Sequence, residues 1–376
     1  MATPENPGTR FFTVAQSSTG SWSFIDPEGK PFVSLGVNHI DDSDLRYPHN
    51  VDVWNERYGS RQKWEQGVVA DLQSLNFNTI GWTSQYISGG WGEALDWFGD
   101  PVDLGHSSPW PDRDLLEADM PYVVQLRVQE IEDWNGHPAY RDVYGEDFAK
   151  YADWLARRMT SDHKDSSNLI GYFLVDIPGW IPHAARRFWP GFDGLSPEEH
   201  DAKLFDVAQQ YYKTITEAIR RYDPNHLILG DRYNGNKGIP KVVLRAMTNY
   251  VDVLSVQYFT GKSPEEYATM IGDLRHWQQL SGKPVLIADI GNWVPTAMNP
   301  HRTSDMETQE ERGQDYANGL ATIMQEPWII GWHWCGYIEN LGRGWGVKDP
   351  QDNFYTDMTD PMRAANAAAQ TTIVDR

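Results

Sequence analysis

Two segments of the 376-residue chain each end an apolar run in a carboxylate and then present a tryptophan. They are Gly171-Tyr-Phe-Leu-Val-Asp-Ile-Pro-Gly-Trp180 and Pro284-Val-Leu-Ile-Ala-Asp-Ile-Gly-Asn-Trp293. An acid at the tip of a buried strand is costly unless it has a partner or a task. Two such tips, Asp176 and Asp289, suggest a pair of carboxylates facing one pocket. The neighbouring tryptophans suggest that the pocket takes sugar, because a ring with an apolar face and a polar edge suits a surface that is half dry and half wet. Breaking a glycosidic bond needs two flanking carboxyl groups. One protonates the leaving oxygen, and the other attacks carbon or activates water. Asp176 and Asp289 can fill these roles; the plainer alternative is that each caps a helix or pairs with Arg232.

The elements that must position these acids are legible as an alternation. Apolar, β-rich runs fall at 32–40, 78–84, 122–128, 169–175, 227–231, 251–258, 285–289 and 329–334. Most are continuously apolar, as parallel strands covered on both faces are. Between them lie helical faces: Trp64, Val68, Leu72 and Leu75; Leu204, Ala208, Tyr211, Ile215 and Ile219; Tyr267, Ile271, Leu274 and Trp277; Tyr316, Leu320 and Ile323. Ser196-Pro-Glu-Glu199 and Ser263-Pro-Glu-Glu266 read as helix starts, with a serine cap, proline at the first helical position and a glutamate reaching back. Eight strand–helix units predict an α/β chain folded as a (β/α)8 TIM barrel, a single domain over 1–376 with extended βα loops. An open doubly wound sheet is the runner-up, but no Gly-x-Gly-x-x-Gly follows any of the strands. Residues 1–31, with Asp-Pro-Glu-Gly as turn chemistry, predict a hairpin that closes the barrel floor. The aperiodic stretch 87–119 predicts a long loop over the active face.

In such a barrel the working residues sit at the C-terminal ends of the strands. There the sequence offers Asn38, His39, Asp41 and Asp42; Trp82 and Gln85; Gln129, Glu130 and Glu132; Asp176; Asp231, Arg232 and Tyr233; Gln257 and Tyr258; Asp289, Asn292 and Trp293; His333, Trp334, Glu339 and Asn340. The rim is rich in carboxylates, amides and aromatics and poor in lysine, which suits a neutral polyhydroxylated ligand. No His-x-His or His-Glu-x-x-His is present, so no metal or other cofactor is expected, and no Gly-x-Ser-x-Gly marks a serine nucleophile.

Composition narrows the partners. A formal net charge of -21 repels phosphate backbones and anionic membranes, so neither nucleic acid nor membrane is an expected partner. Aromatics make up 13% of the residues, more than a core alone calls for, and the excess is available to line a cleft. The single cysteine, Cys335, excludes an intrachain disulfide and reads as a buried thiol. No apolar run reaches the length of a bilayer span. The N-terminal residues lack a basic, then apolar, leader, so the expectation is a cytoplasmic protein, or a secreted one whose leader has been removed.

Several segments, in order and over nearly the whole chain, resemble the agarase-like and β-galactosidase-like glycoside hydrolases of the retaining (β/α)8 clan. They are Gly29-Lys-Pro-Phe-Val-Ser-Leu-Gly-Val-Asn-His39, Leu75-Asn-Phe-Asn-Thr-Ile-Gly-Trp82 and Asp142-Val-Tyr-Gly-Glu-Asp-Phe148. Leu229-Gly-Asp-Arg-Tyr233, Ser255-Val-Gln-Tyr258 and Gly331-Trp-His-Trp334 follow, with Glu339-Asn340 and Gly346-Val-Lys-Asp349 behind them. The resemblance implies a barrel glycosidase without a cofactor, acting on a galactan-type or related oligo- or polysaccharide.

The departures from that pattern matter. In the family, strand four ends Asn-Glu, the glutamate being the acid/base; here Asp176 falls on the asparagine and Ile177 on the glutamate. On strand seven, Asp289 stands where the family carries a nucleophilic glutamate. Shorter acids widen the gap between carboxyls, from the roughly 5–5.5 Å of retaining enzymes towards the roughly 6.5–9.5 Å of inverting ones. The reading is therefore Asp176 as general acid and Asp289 as nucleophile or general base, with Tyr258 orienting Asp289. Trp82, Trp180, Trp293 and Trp334 are the expected stacking walls, and His39, Arg232, Asn292 and Glu339 the expected hydroxyl contacts. Three alternatives stay open: another acid (Glu339, Glu130 or Asp41) supplies the proton; the barrel binds sugar without cleaving it; or it is an atypical glycosidase or transglycosylase for a furanose or anhydro sugar.

Overall fold

The computed structural model describes residues 10–46, 48–83, 110–125, 142–181, 191–260, 263–339 and 344–376. Eight parallel strands close on themselves: β4 (Ser34–Asn38), β5 (Thr79–Ile80), β6 (Tyr122–Gln125), β7 (Leu169–Asp176), β8 (Leu227–Asn234), β9 (Leu254–Gln257), β10 (Val285–Ile290) and β11 (Ile329–Cys335). The last pairs with the first, His333 opposite Gly36 and Cys335 opposite Asn38, which completes the barrel. The order around the barrel follows the chain. This is the (β/α)8 fold that the alternation of apolar runs predicts.

Three short antiparallel strands precede it: β1 (Thr13–Gln16), β2 (Trp22–Ile25) and β3 (Pro31–Phe32). Phe12 and Phe24 join Val123, Ile170, Leu227, Leu229, Val253 and Ile330 in one buried cluster inside the barrel. The segment read from its turn chemistry as a floor is therefore a three-stranded plug that fills the barrel interior from below.

The outer layer follows from helical periodicity and caps. The helices used below are α1 (Arg61–Ser74), α2 (Asp112–Glu117), α3 (Glu146–Ser161), α4 (Pro197–Tyr222), α5 (Pro264–Ser281), α6 (Gln309–Ile323) and α7 (Thr356–Asp375). Ser196 and Ser263 form reciprocal capping boxes with Glu199 and Glu266, and Thr308 forms a third with Glu311. Residues 87–109 of the expected long loop lie outside the described residues. Within it, Asp112–Glu117 is a helix rather than loop, its first turn carrying Asp112 and Asp114, which complement the helix dipole.

One backbone irregularity decides what the barrel presents at its C-terminal end. Strand residues alternate between faces, so a run of Leu227, Leu229 and position 231 would send Asp231 inward. Gly230 has a φ of +76° and the β7–β8 register shifts beside it. Asp231 consequently points out, to the hydroxyls of Tyr211 and Tyr212 on α4, and Arg232 points in.

Candidate active site

Asp176 closes β7 and Asp289 lies near the end of β10, across the barrel from each other, and both side chains turn inward. Arg232, arriving from β8, touches both. Its Nη1 donates to Asp176 Oδ1 at 2.8 Å, and its Nη2 lies 3.3 Å from Asp289 Oδ2. The guanidinium is fully buried and lies 4.2 Å from the Trp82 ring, with Phe173 behind it. One planar fork thus spans the two carboxylates, a geometry that arginine offers and lysine does not. The alternative in which each acid pairs with Arg232 is what the structure contains, and the pairing also brings the two acids to one point.

Asn38, at the end of β4, donates to Asp289 Oδ1 at 2.7 Å and to the Ala288 carbonyl at 2.8 Å. Its own Oδ1 accepts from the Trp82 backbone at 2.8 Å, so one amide ties together three strand ends. His39 stands with Nε2 3.8 Å from Asp289 Oδ2 and its ring edge-on to Trp82 at 5.0 Å. Burial works to raise the pKa of Asp289, but His39, Arg232 and Asn38 together outweigh it and hold the carboxyl below its usual range. At neutral pH Asp289 is a carboxylate with its lone pairs directed by fixed donors.

Beneath lies a neutral polar step. His333 Nε2 is 2.8 Å from Ser34 Oγ, which also meets Thr79 Oγ1 at 2.9 Å. Burial, then the Arg232 charge, push the His333 pKa down to about 3, so the ring is uncharged and adds nothing to the cation above it. Gly36 opposite is required for space: a Cβ there would come within 2.8 Å of the His333 ring. Gln257, from β9, donates to Asp176 Oδ1, and Gln125, from β6, accepts from the Trp82 indole. Asn38, Gln257 and His333 are visible in the sequence as polar strand ends. Gln125 is missed, and its signal is a lone amide inside an otherwise apolar strand.

The other expected contacts sort differently. Asp176, Asp289, His39, Trp82 and Arg232 converge, but Arg232 is too deep to meet a substrate hydroxyl and acts as the link between the acids. The Tyr258 hydroxyl donates to Asp273 on α5 at 2.7 Å, and only its backbone N–H reaches the Asp289 carbonyl, so Tyr258 does not orient the carboxylate. Trp180 is 2% exposed and packs on Tyr211 with its indole on Asp231; Trp334 is 1% exposed and packs on Tyr316. Both are core residues rather than stacking walls: Trp334 faces outward from β11 onto α6, and Trp180, past the end of β7, turns onto α4. Asn292 is held by Arg312 and Asp315 of α6. Glu339 is held by Thr296, Asn299 and Tyr355 and clamps the segment after β10 to the segment after β11, so neither is aimed at a sugar. Trp293 alone of the four tryptophans is half-buried. It lies tilted against Trp345 under Arg302 and lines a cavity of about 140 Å³ with Asn292, Thr303 and Ser304. Gln85, Gln129, Glu130, Glu132 and Asn340 lie outside the described residues.

Ile177, where the resemblance places the family's glutamate, has a φ of +44°. A β-branched residue is a true outlier there. Its N–H donates to the Arg232 carbonyl at 2.9 Å, so the turn that ends β7 is pinned to the strand carrying the arginine.

No family model matches the chain. Beta-agarase A of Vibrio sp. (strain JT0107) is 23% identical over 477 residues, an alignment covering 97% of this chain and 46% of that protein. Beta-agarase B of the same strain is 24% identical over 453 residues, covering 91% of this chain and 46% of its own length. The chain thus spans less than half the length of the curated relatives it matches. Among solved structures, an exo-beta-agarase superposes with a TM-score of 0.73 at 16% identity, covering 100% of this chain and 66% of that one. The chain therefore resembles the agarase-like glycoside hydrolases in sequence and shares their (β/α)8 barrel fold.

Proposed function

We propose that the chain is a glycoside hydrolase acting on a neutral, agarose-type galactan, with Asp289 as the nucleophile or general base and Asp176 as the general acid. The observation that carries this is the convergence of the two carboxylates, from opposite sides of the barrel, on Arg232 at the C-terminal ends of the strands. The similarity to beta-agarases along almost the whole chain supports the substrate class. In the reaction the proton of the Asp176 carboxyl passes to the glycosidic oxygen as its bond to the anomeric carbon breaks. Asp289 either bonds to that carbon or takes a proton from the water that does. Asp289 is suited to its part, being ionised and aimed.

One observation favours a second reading of Asp176. A guanidinium in contact stabilises a carboxylate, the opposite of what a proton donor needs. In that reading Asp176 anchors Arg232, and the leaving oxygen is protonated by water. Kinetics on two substrate types separate these. If Asp176 is the acid, Asp176→Asn loses about 10²–10⁴-fold in kcat on galactan oligosaccharides but little on aryl galactosides whose leaving group needs no proton. Equal losses on both assign it to anchoring. An unmodified chain that binds galactan and never turns it over, with Asp289→Asn binding equally well, overturns the hydrolase and leaves a sugar-binding barrel.

A further inference from the structure

Asp289, Cys335 and His39 stand at the tips of three consecutive staves of the barrel, β10, β11 and β4. One potential ligand atom from each lies within 4.8 Å of the other two. We propose that these three residues form a binding site for a borderline-soft divalent cation such as Zn²⁺ or Co²⁺, and that the bound ion blocks the sugar site by occupying Asp289. The clause about blocking rests on the glycosidase reading; the cation site itself does not.

The donor set is imidazole nitrogen, carboxylate oxygen and thiolate sulfur, which selects zinc-like ions over magnesium or calcium. Zinc holds nitrogen and oxygen at about 2.0–2.2 Å and sulfur at about 2.3 Å, which in a tetrahedron sets ligand atoms about 3.5 Å apart. His39 Nε2 and Asp289 Oδ2 are already at 3.8 Å. Three protein ligands leave the fourth position to water.

Three features support the set. Asn38 fixes the Asp289 carboxylate from its other oxygen. The φ of +49° at His39, uncommon outside glycine, turns its ring towards the acid. Charge also matches: Asp289 and a Cys335 thiolate bring two negative charges to the two positive charges of the ion. The thiol loses its proton to solvent on binding, so affinity rises with pH.

The single cysteine makes the test specific. The purified, metal-free chain is titrated with Co²⁺ alone under reducing, chelator-free conditions and followed by absorption. The expected result is one ion per chain, with a thiolate-to-cobalt charge-transfer band that only Cys335 can supply. Cys335→Ser and Cys335→Ala, checked for folding by circular dichroism, are expected to lose the band and at least tenfold in affinity. His39→Gln is expected to keep the band and to bind more weakly. A chain of native fold that shows no band, or cysteine variants with unchanged affinity, overturns the site. In parallel, Zn²⁺ is expected to inhibit galactan hydrolysis, with its half-inhibitory concentration raised at least tenfold in Cys335→Ser relative to that variant's own activity. A band without zinc inhibition overturns the blocking and keeps the site; a band with no hydrolysis in any sample counts against the glycosidase reading alone.

Discussion

A guanidinium with no solvent contact has to be neutralised by its neighbours, and Arg232 contacts both acids of the proposed mechanism. Removing it leaves two buried anions facing each other. Arg232→Met is therefore expected to lose about 3–5 kcal/mol in denaturant unfolding. Arg232→Lys recovers part of that stability but not the turnover, since a point charge cannot hold both acids in place. Asp289 titrates below its usual range, so the folded chain keeps its charge where the unfolded chain has begun to protonate. Its contribution to stability is present above the ordinary carboxylate pKa and is lost as pH falls through the lowered one. The acid limb of the activity profile is expected below about pH 4, and a limb at higher pH would refute an ionised Asp289 as the controlling group. At Ile177 the positive φ is strain, and Ile177→Asn is expected to stabilise by about 1 kcal/mol, read from unfolding midpoints. The two acids were legible from sequence because an acid after an apolar run is expensive. The depth of Arg232 was not, because nothing before Gly230 says that the alternation of faces slips there. Cys335, read as a buried thiol, meets His39 only when β11 pairs with β4.

At the scale of elements, the slip in β8 sorts two adjacent charged residues to opposite faces. Gly230→Ala is expected to lose about 1 kcal/mol or more, from φ alone, and to reduce kcat by displacing Arg232. On the outer face, burial raises the Asp231 carboxyl from 3.8 to about 6, and the hydrogen bonds from Tyr212, Trp180 and Tyr211 offset only part of that. The folded state thus holds this proton more tightly than the unfolded state, so its contribution to stability falls as pH rises from about 4 to about 6. Unfolding midpoints across that range are expected to fall more in the unmodified chain than in Asp231→Asn; parallel slopes would discard the assignment. The sequence shows each strand by its apolar run, but inner and outer tryptophans look alike in it. Trp180 follows the tip of β7 and Trp334 lies within β11, and both face helices, since a continuously apolar strand carries no mark of which side is the lumen. The terminal α7 was not read at all, because its Ala-rich stretch has little apolar periodicity and Pro361 interrupts it.

For the whole molecule, the barrel works as a graded column. Phenylalanines fill the floor, uncharged hydroxyls and imidazole come next, and charge appears only at the top. Phe24→Ala should open a cavity in the floor and destabilise by about 3–5 kcal/mol while leaving KM unchanged, a split that unfolding and kinetics on the same sample would check. A shift in KM would mean that the floor is coupled to the acids. The eight strands were legible because each is an apolar run of the same kind, while the helix that completes the last unit was not; the plug was legible only as a turn between short strands.

The plug has a consequence for how the chain is made. Trp22 donates its N–H to the Pro327 carbonyl, and β4 pairs with β11. Residues near the start of the chain thus find their partners some three hundred positions later. During ribosomal synthesis one edge of each waits without its partner until the final stave emerges. Chaperone dependence, and the yield of soluble product when elongation is slowed, should follow from that wait.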